Sequence, residues 1–211
     1  MNKIIKAITL FIIIFATTSL IMTQIITMDR YILNMLFLLA VSLIIIFCFK
    51  KTLMEVVSKT HRYEFIFIFM FSLIIHVVSS YFILSFLNQP VWPFDSRGTS
   101  FLLMNKFYLW VKPLDVFVQQ LLIIVLVKKL YQYKLSLRQI TILFICGFGL
   151  IHIFQVFKTS LIIGLGFTFV AMLSSLVYPY MILKVRNGYL YNYMIHLGIY
   201  NIVALTAWIF F

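Results

Sequence analysis

The chain has 211 residues, of which 64% are hydrophobic and only 10% charged. A soluble domain of this size cannot keep so much apolar surface out of water, so the composition excludes an ordinary globular enzyme and identifies a polytopic membrane protein. The formal charge of +12 does not mark a nucleic-acid binder, because the lysines and arginines sit in short clusters between apolar runs rather than along one stripe.

A membrane-crossing helix needs about 20 apolar residues. In chain order the candidate spans are Ala7–Thr27, Tyr31–Phe49, Phe65–Leu87, roughly Tyr108–Val127, Ile140–Phe157, Leu161–Leu183 and Tyr189–Phe210. The predicted class is all-α, with about seven transmembrane helices. Lys3 and Lys6 before an apolar run imitate a signal peptide. The run is longer than a typical signal core and Ala16-Thr17-Thr18 is a weak cleavage site, so it reads as a retained span. Lys112 and Pro113 interrupt the start of the fourth run, which can begin at Pro113 and be short.

The charges test this count. With the N-terminus in the cytoplasm, the inside segments hold Lys3, Lys6, Lys50, Lys51, Lys59, Arg62, Lys128, Lys129, Lys134, Arg138, Lys184 and Arg186, twelve in all. The outside segments hold five: Arg30, Arg97, Lys106, Lys112 and Lys158. This is the positive-inside bias, and an odd number of spans places the C-terminus outside. High Ile, Phe and Lys usage fits a bacterial cytoplasmic membrane. Cys48 and Cys146 fall inside apolar spans and read as packing residues rather than a disulfide.

No repeat or linker divides the chain. Residues 1–211 form one transmembrane domain, with N-terminal spans and an outer-face loop in 1–112 and a core in 113–211. The stretch from Asn88 to Lys112 carries Pro90, Pro93, Trp92 and Trp110 and reads as an aromatic interfacial anchor, with Phe101–Trp110 as a short surface helix.

Polar groups at membrane depth carry the functional argument. Burying one without a partner costs roughly several kcal/mol, so His76, His152, His196, Gln119 and Gln120 are expected to face one another or a wet cavity. Depths counted from the cytoplasmic ends are compatible with a single level. Asn34, Ser79, Ser80, Gln155 and Asn201 extend the set. At helical spacing Asp115 faces with Gln119, His76 with Ser79, His152 with Gln155, and Asn192 with His196. Only five acidic residues exist, Asp29, Glu55, Glu64, Asp95 and Asp115, and of these only Asp115 lies near a span interior.

Phe117-Val118-Gln119-Gln120-Leu121-Leu122, Phe148-Gly149-Leu150-Ile151-His152 and the stretch from Arg186 to His196-Leu197-Gly198-Ile199-Tyr200-Asn201 follow one another in the second half. In order and approximate spacing they resemble the CPBP family, the CAAX-protease and bacteriocin-processing membrane proteins that include the prenyl-protein proteases. The resemblance implies a four-helix core from about Leu114 to Asn201. It also implies an intramembrane endopeptidase site at Gln119, Gln120, His152, His196 and Asn201, with Phe148 as part of the second motif. The family has two glutamates where this chain has Gln119 and Gln120, and an arginine follows them; here the nearest downstream cations are Lys128 and Lys129. Tyr200 stands in the family's Asn position, with Asn201 one residue further.

The missing glutamates decide the chemistry expected. A carboxamide cannot take a proton near neutral pH, and general-base catalysis contributes about 10²–10⁴-fold. The leading expectation is a catalytically impaired relative that binds a peptide, a lipid-linked group or a partner helix in its polar cavity. An alternative is an active peptidase whose base is Asp115, which otherwise reads as a helix-start carboxylate, or a histidine; Asn192 then joins the candidate site. A metal or haem site from His76, His152 and His196 is a weaker candidate, as is a small transporter. Gly147–Gly149 and Gly164–Gly166 read as close-packing positions. No cofactor is expected. The expected partners are the lipid bilayer and a membrane peptide or partner transmembrane helix, with no nucleic acid.

Overall fold

The computed structural model describes residues 31–57, 61–88, 106–149, 152–157 and 161–210, besides isolated positions 5, 9 and 12. The expected first span and most of the outer-face loop lie outside the described residues. Every described element is helical: α1 (Tyr31–Cys48), α2 (Lys50–Val57), α3 (Arg62–Phe86), α4 (Lys106–Gln132), α5 (Leu137–Phe144), α6 (Leu161–Lys184) and α7 (Gly188–Phe210). A π-turn at Ile145–Gly149 and a 3-10 segment at His152–Phe157 follow α5.

Among the described residues, five helical segments are long and apolar enough to cross a membrane, or six if α1 and α2 count as one broken span. Large apolar side chains such as Leu43, Phe47, Phe67, Val78, Ile162 and Phe169 are exposed around the bundle. In water that belt would be intolerable, whereas in lipid it is the expected outer surface. Several serine hydroxyls within the helices are satisfied one turn back, as Ser42 donates to the Leu38 carbonyl, Ser72 to Ile68 and Ser175 to Ala171.

α4 is the central helix. Its Val111, Val116, Val118, Val125, Val127 and Leu130 are completely or almost completely buried. It packs against α1 and α7, while α3 packs on α7 and α6 covers both α7 and the broken fifth span. α2 turns 89° from α1 and packs across the end of α4. Its Glu55 pairs with Lys128 at 3.2 Å. Nearby, Arg186 donates to both oxygens of Glu64 at 2.8 Å, tying the α6–α7 turn to the start of α3. These contacts bring Lys50, Lys51, Arg62, Lys128, Lys129, Lys184 and Arg186 to one end of the bundle, the basic end.

The run read as one helix over Ile140–Phe157 is broken. It starts well: Ser136 and Gln139 form a reciprocal capping box at the N-terminus of α5. Regular α-structure then ends at Phe144. Tertiary packing accompanies the break. A Cβ on Gly149 would meet Met172 Cγ at 2.7 Å, and one on Gly164 would collide with the Val156 backbone. Gly149 and Gly164 thus permit close approach to α6, whereas Gly166 faces open space.

The fourth span also differs from expectation. α4 does not start at Pro113; it starts at Lys106 and carries Pro113 inside. Residues 106–110, expected in a surface helix, belong to this long helix, and Tyr108 is fully buried. Lys112 is not an outer-loop charge, since it is 6% exposed within the bundle.

Candidate functional site

Gln120 and His196 come together. Gln120 Nε2 donates to His196 Nδ1 at 2.8 Å, and both side chains are buried. A ring nitrogen that accepts this bond carries no proton, so the neutral His196 ring holds its proton on Nε2. Gln120 Oε1 is buried and has no hydrogen-bond partner among the described residues. The ends of the two helices set the level: His196 lies eight residues into α7, about 12 Å from its start.

Aromatic rings enclose His196. Tyr200, one turn on, stacks on it at 5.4 Å between centroids, Tyr178 of α6 lies at 5.6 Å, and Phe148 meets it edge-on at 6.2 Å. Phe148 also contacts the His152 ring at 5.0 Å, so this phenyl group stands between the two imidazoles. His152 Nδ1 donates to the Phe148 carbonyl at 2.7 Å, one turn back. Its proton is therefore on Nδ1, which leaves the Nε2 lone pair as an acceptor. Thus Gln120, Phe148, His152 and His196 form one neighbourhood, joined by the Gln120–His196 hydrogen bond and the Phe148 ring.

Gln119 takes a different direction. Its Nε2 donates to Asp115 Oδ1 at 2.8 Å, and Lys112 Nζ binds Asp115 Oδ2 at 2.7 Å. Asp115 is not a helix-start carboxylate: it lies nine residues into α4, 5% exposed, in a buried ion pair. Lys112 Nζ also sits 3.6 Å from the centroid of the Tyr200 ring. This cation–π contact links the ion pair to the ring stacked on His196. Lys112 was missed as a site residue. Its signal was the opposite charge three residues on, at helix-neighbour spacing.

Asn201 does not join His196. Asn201 Oδ1 accepts from His76 Nδ1 and from the Tyr108 hydroxyl, each at 2.9 Å. The His76 and Tyr108 rings pack at 5.2 Å. His76 lies 14 residues into α3, about 21 Å from its start, so the polar residues occupy two levels rather than one. The reason is angular: Asn201 is five residues past His196 on an unbroken helix and points about 140° away. Asn192, four before His196, is buried and donates from Nδ2 to the Tyr178 carbonyl at 3.2 Å. Ser79 donates to the backbone carbonyl of His76 at 3.1 Å. The Gln155 side chain lies outside the described residues.

Among the described residues no group of three His, Cys, Asp or Glu side chains that could hold a metal ion occurs, and Nδ1 of His76, His152 and His196 bonds Asn201, the Phe148 carbonyl and Gln120 respectively.

A groove of about 670 Å³ adjoins this core. Apolar side chains of α1, α2, α3, α4 and α7 make up most of its lining, together with Lys50 and Gln120. The arrangement offers a neutral amide–imidazole pair beside a largely apolar groove, with a buried ion pair behind a tyrosine ring. It can bind through hydrogen bonds and apolar contact without an unpaired charge at membrane depth. Among known proteins no family model matches the chain, and no curated protein and no solved structure is significantly similar to it.

Proposed function

We propose that this integral membrane protein is a CPBP-like protein whose core binds a peptide segment or partner transmembrane helix without cleaving it. The observation that carries the reading is the Gln120–His196 hydrogen bond at 2.8 Å. In the family that it resembles, a carboxylate activates water beside the histidines. Here a carboxamide donates to the imidazole, and neither Gln119 nor Gln120 can accept the proton that hydrolysis releases. Asp115 is a poor substitute, because Lys112 and Gln119 occupy its two oxygens. Gln120 Oε1 supplies the open acceptor that a peptide N–H would use.

One feature favours the competing reading of an active peptidase: His152 keeps an Nε2 lone pair, and an imidazole can act as base near neutral pH. The two readings separate in one experiment. The protein, reconstituted in vesicles, is offered internally quenched peptides with apolar, membrane-inserting sequences. Binding without turnover is expected, with binding weakened by Gln120→Leu. Turnover that disappears in His152→Ala and His196→Ala, while both variants remain folded, refutes the binding reading. A bacterial cytoplasmic membrane, with the N-terminus inside and the C-terminus outside, is the setting that the basic clusters favour.

A further inference from the structure

At the basic end a second cavity, of about 500 Å³, opens between α2, the end of α4 and the α6–α7 turn. Its lining includes Lys128, Lys184 and Arg186 against a single carboxylate, Glu55. Glu55 already pairs with Lys128, and Arg186 with Glu64. Lys184 has no ion pair among the described residues and is exposed. The N-terminus of α7 adds the positive end of a helix dipole at the same wall, through Asn187 and Tyr189.

This cavity and the apolar groove are neighbours. Val56 and Tyr189 line both, so a polar, cationic chamber adjoins an apolar one. The groove's lining includes Gln120, eight residues or about 12 Å along α4 from Lys128. Both volumes fall within the roughly 300–1,000 Å³ of ordinary ligand sites.

We propose that these two cavities form one binding site for an anionic phospholipid from the leaflet next to the basic end. Its phosphate lies against Lys184 and Arg186, and one acyl chain occupies the groove along Met54, Leu121 and Ile124. Charge complementarity selects the headgroup, since clustered cations between helices at a membrane surface attract anionic lipid. The apolar groove selects an amphiphile over an acidic peptide, which has no hydrocarbon tail to fill it. The site stands independently of what the Gln120–His196 pair does.

The test uses the full-length protein purified in a neutral detergent, with lipid occupancy followed by native mass spectrometry. Phosphatidylglycerol is expected to bind at least tenfold more tightly than phosphatidylcholine with the same acyl chains. Glycerol 3-phosphate is expected not to compete at equal concentration. Each charge near a membrane surface contributes enough for about a fivefold effect. Lys184→Gln should therefore weaken phosphatidylglycerol about fivefold and leave phosphatidylcholine unchanged, with Lys184→Gln/Arg186→Gln weaker still. Met54→Trp, at an exposed groove position, should weaken both lipids without lowering the melting temperature of the lipid-free protein. Equal affinity for the two lipids overturns the proposal. So does a preference that survives Lys184→Gln, full competition by glycerol 3-phosphate, or no effect of Met54→Trp. Because Arg186 also holds Glu64, Lys184→Gln decides the headgroup question if the double variant is unstable.

Discussion

Replacing Asp115 by asparagine should destabilise the protein more than almost any other single change, and the reason lies with its partner. Lys112 and Asp115 are 2.7 Å apart and almost wholly buried. The carboxamide of Asp115→Asn would keep the shape and a hydrogen bond to Gln119 but leave the ammonium without its counter-charge. Breaking a buried pair from one side costs about 3–5 kcal/mol, mostly as the penalty of the uncompensated ion. The contact of Lys112 with the Tyr200 ring is present before and after the change and does not offset this. At about 2–4 °C per kcal/mol for a chain of this length, the melting temperature should fall by roughly 6–20 °C. The assay is thermal unfolding in detergent, at one scan rate because membrane proteins often unfold irreversibly. The control is Lys112→Met/Asp115→Leu, which removes both charges and should lie within about 1 kcal/mol of the parent or above it. A single variant as stable as the parent, or a double variant as unstable as the single, refutes the account of the pair as a mutually compensated buried charge.

Four other outcomes follow from the same packing. Gln120→Leu strands the His196 nitrogen and should cost about 1–3 kcal/mol, and a double-mutant cycle with His196→Leu should show coupling of about 0.5–1.5 kcal/mol; additivity in the cycle contradicts the hydrogen bond. Gly164→Ala should destabilise by about 1–3 kcal/mol through collision with the Val156 backbone, while Gly166→Ala, which meets nothing, should be neutral or gain up to about 1 kcal/mol; thermal melts of the two variants compare them directly. Tyr200→Phe keeps the ring under Lys112 but loses the hydroxyl's hydrogen bond to the ammonium and should cost about 0.5–2 kcal/mol in thermal melts, whereas Tyr200→Leu loses the ring contact as well and should cost about 1–4 kcal/mol. In a Cys48→Ser/Cys146→Ser background, Arg138→Cys should react only with a membrane-permeant thiol reagent and Asn88→Cys with an impermeant one too; the reverse pattern inverts the topology that the basic clusters imply.

The sequence made the span pattern visible wherever an apolar run of membrane length lay between charges. The ends of α1, α6 and α7 differ from the expected ones by a single residue or none. Failure came where distant contacts override local signals. Lys112 and Pro113 look like a boundary, yet α4 runs through both, because Asp115 neutralises the ammonium and the Tyr200 ring on another helix covers it. The break after Phe144 was illegible for the same reason. No residue there demands a π-turn, whereas α6 packs against the turn at Gly149, and Gly164 admits the Val156 backbone that follows it. Within the candidate site, the rule that lipid forces buried polar groups to find partners pointed to one shared cluster of His76, His152, His196, Gln119 and Gln120. Of these, Gln120 and His196 bond each other, while Gln119 and His76 bond other partners. Tyr108 was not readable as a site residue, since a tyrosine near the end of a span reads as an interfacial anchor.

α7 explains why the polar interior separates into two layers. Asn192, His196 and Tyr200 repeat every four residues and present one polar stripe towards α4 and α6, where Tyr178, Gln120 and Lys112 meet them. Asn201 falls on another side and holds His76 of α3 and Tyr108 of α4. The same helix thus contributes to both networks, at about 12 Å and 20 Å from its start, and Tyr200 packs between them against the cluster that holds Tyr108. An oxyanion formed beside His196 therefore has no help from Asn201. The groups nearest to it are the Tyr200 ring, the Lys112 ammonium behind that ring and the Gln120 amide. A cation screened by an aromatic face and a carboxamide already bonded to imidazole are suited to holding a neutral polar group, such as a backbone amide. They are poorly suited to generating the hydroxide equivalent that peptide hydrolysis needs. The second network, fully buried between α3, α4 and α7, instead ties those three helices together through Asn201, His76 and Tyr108.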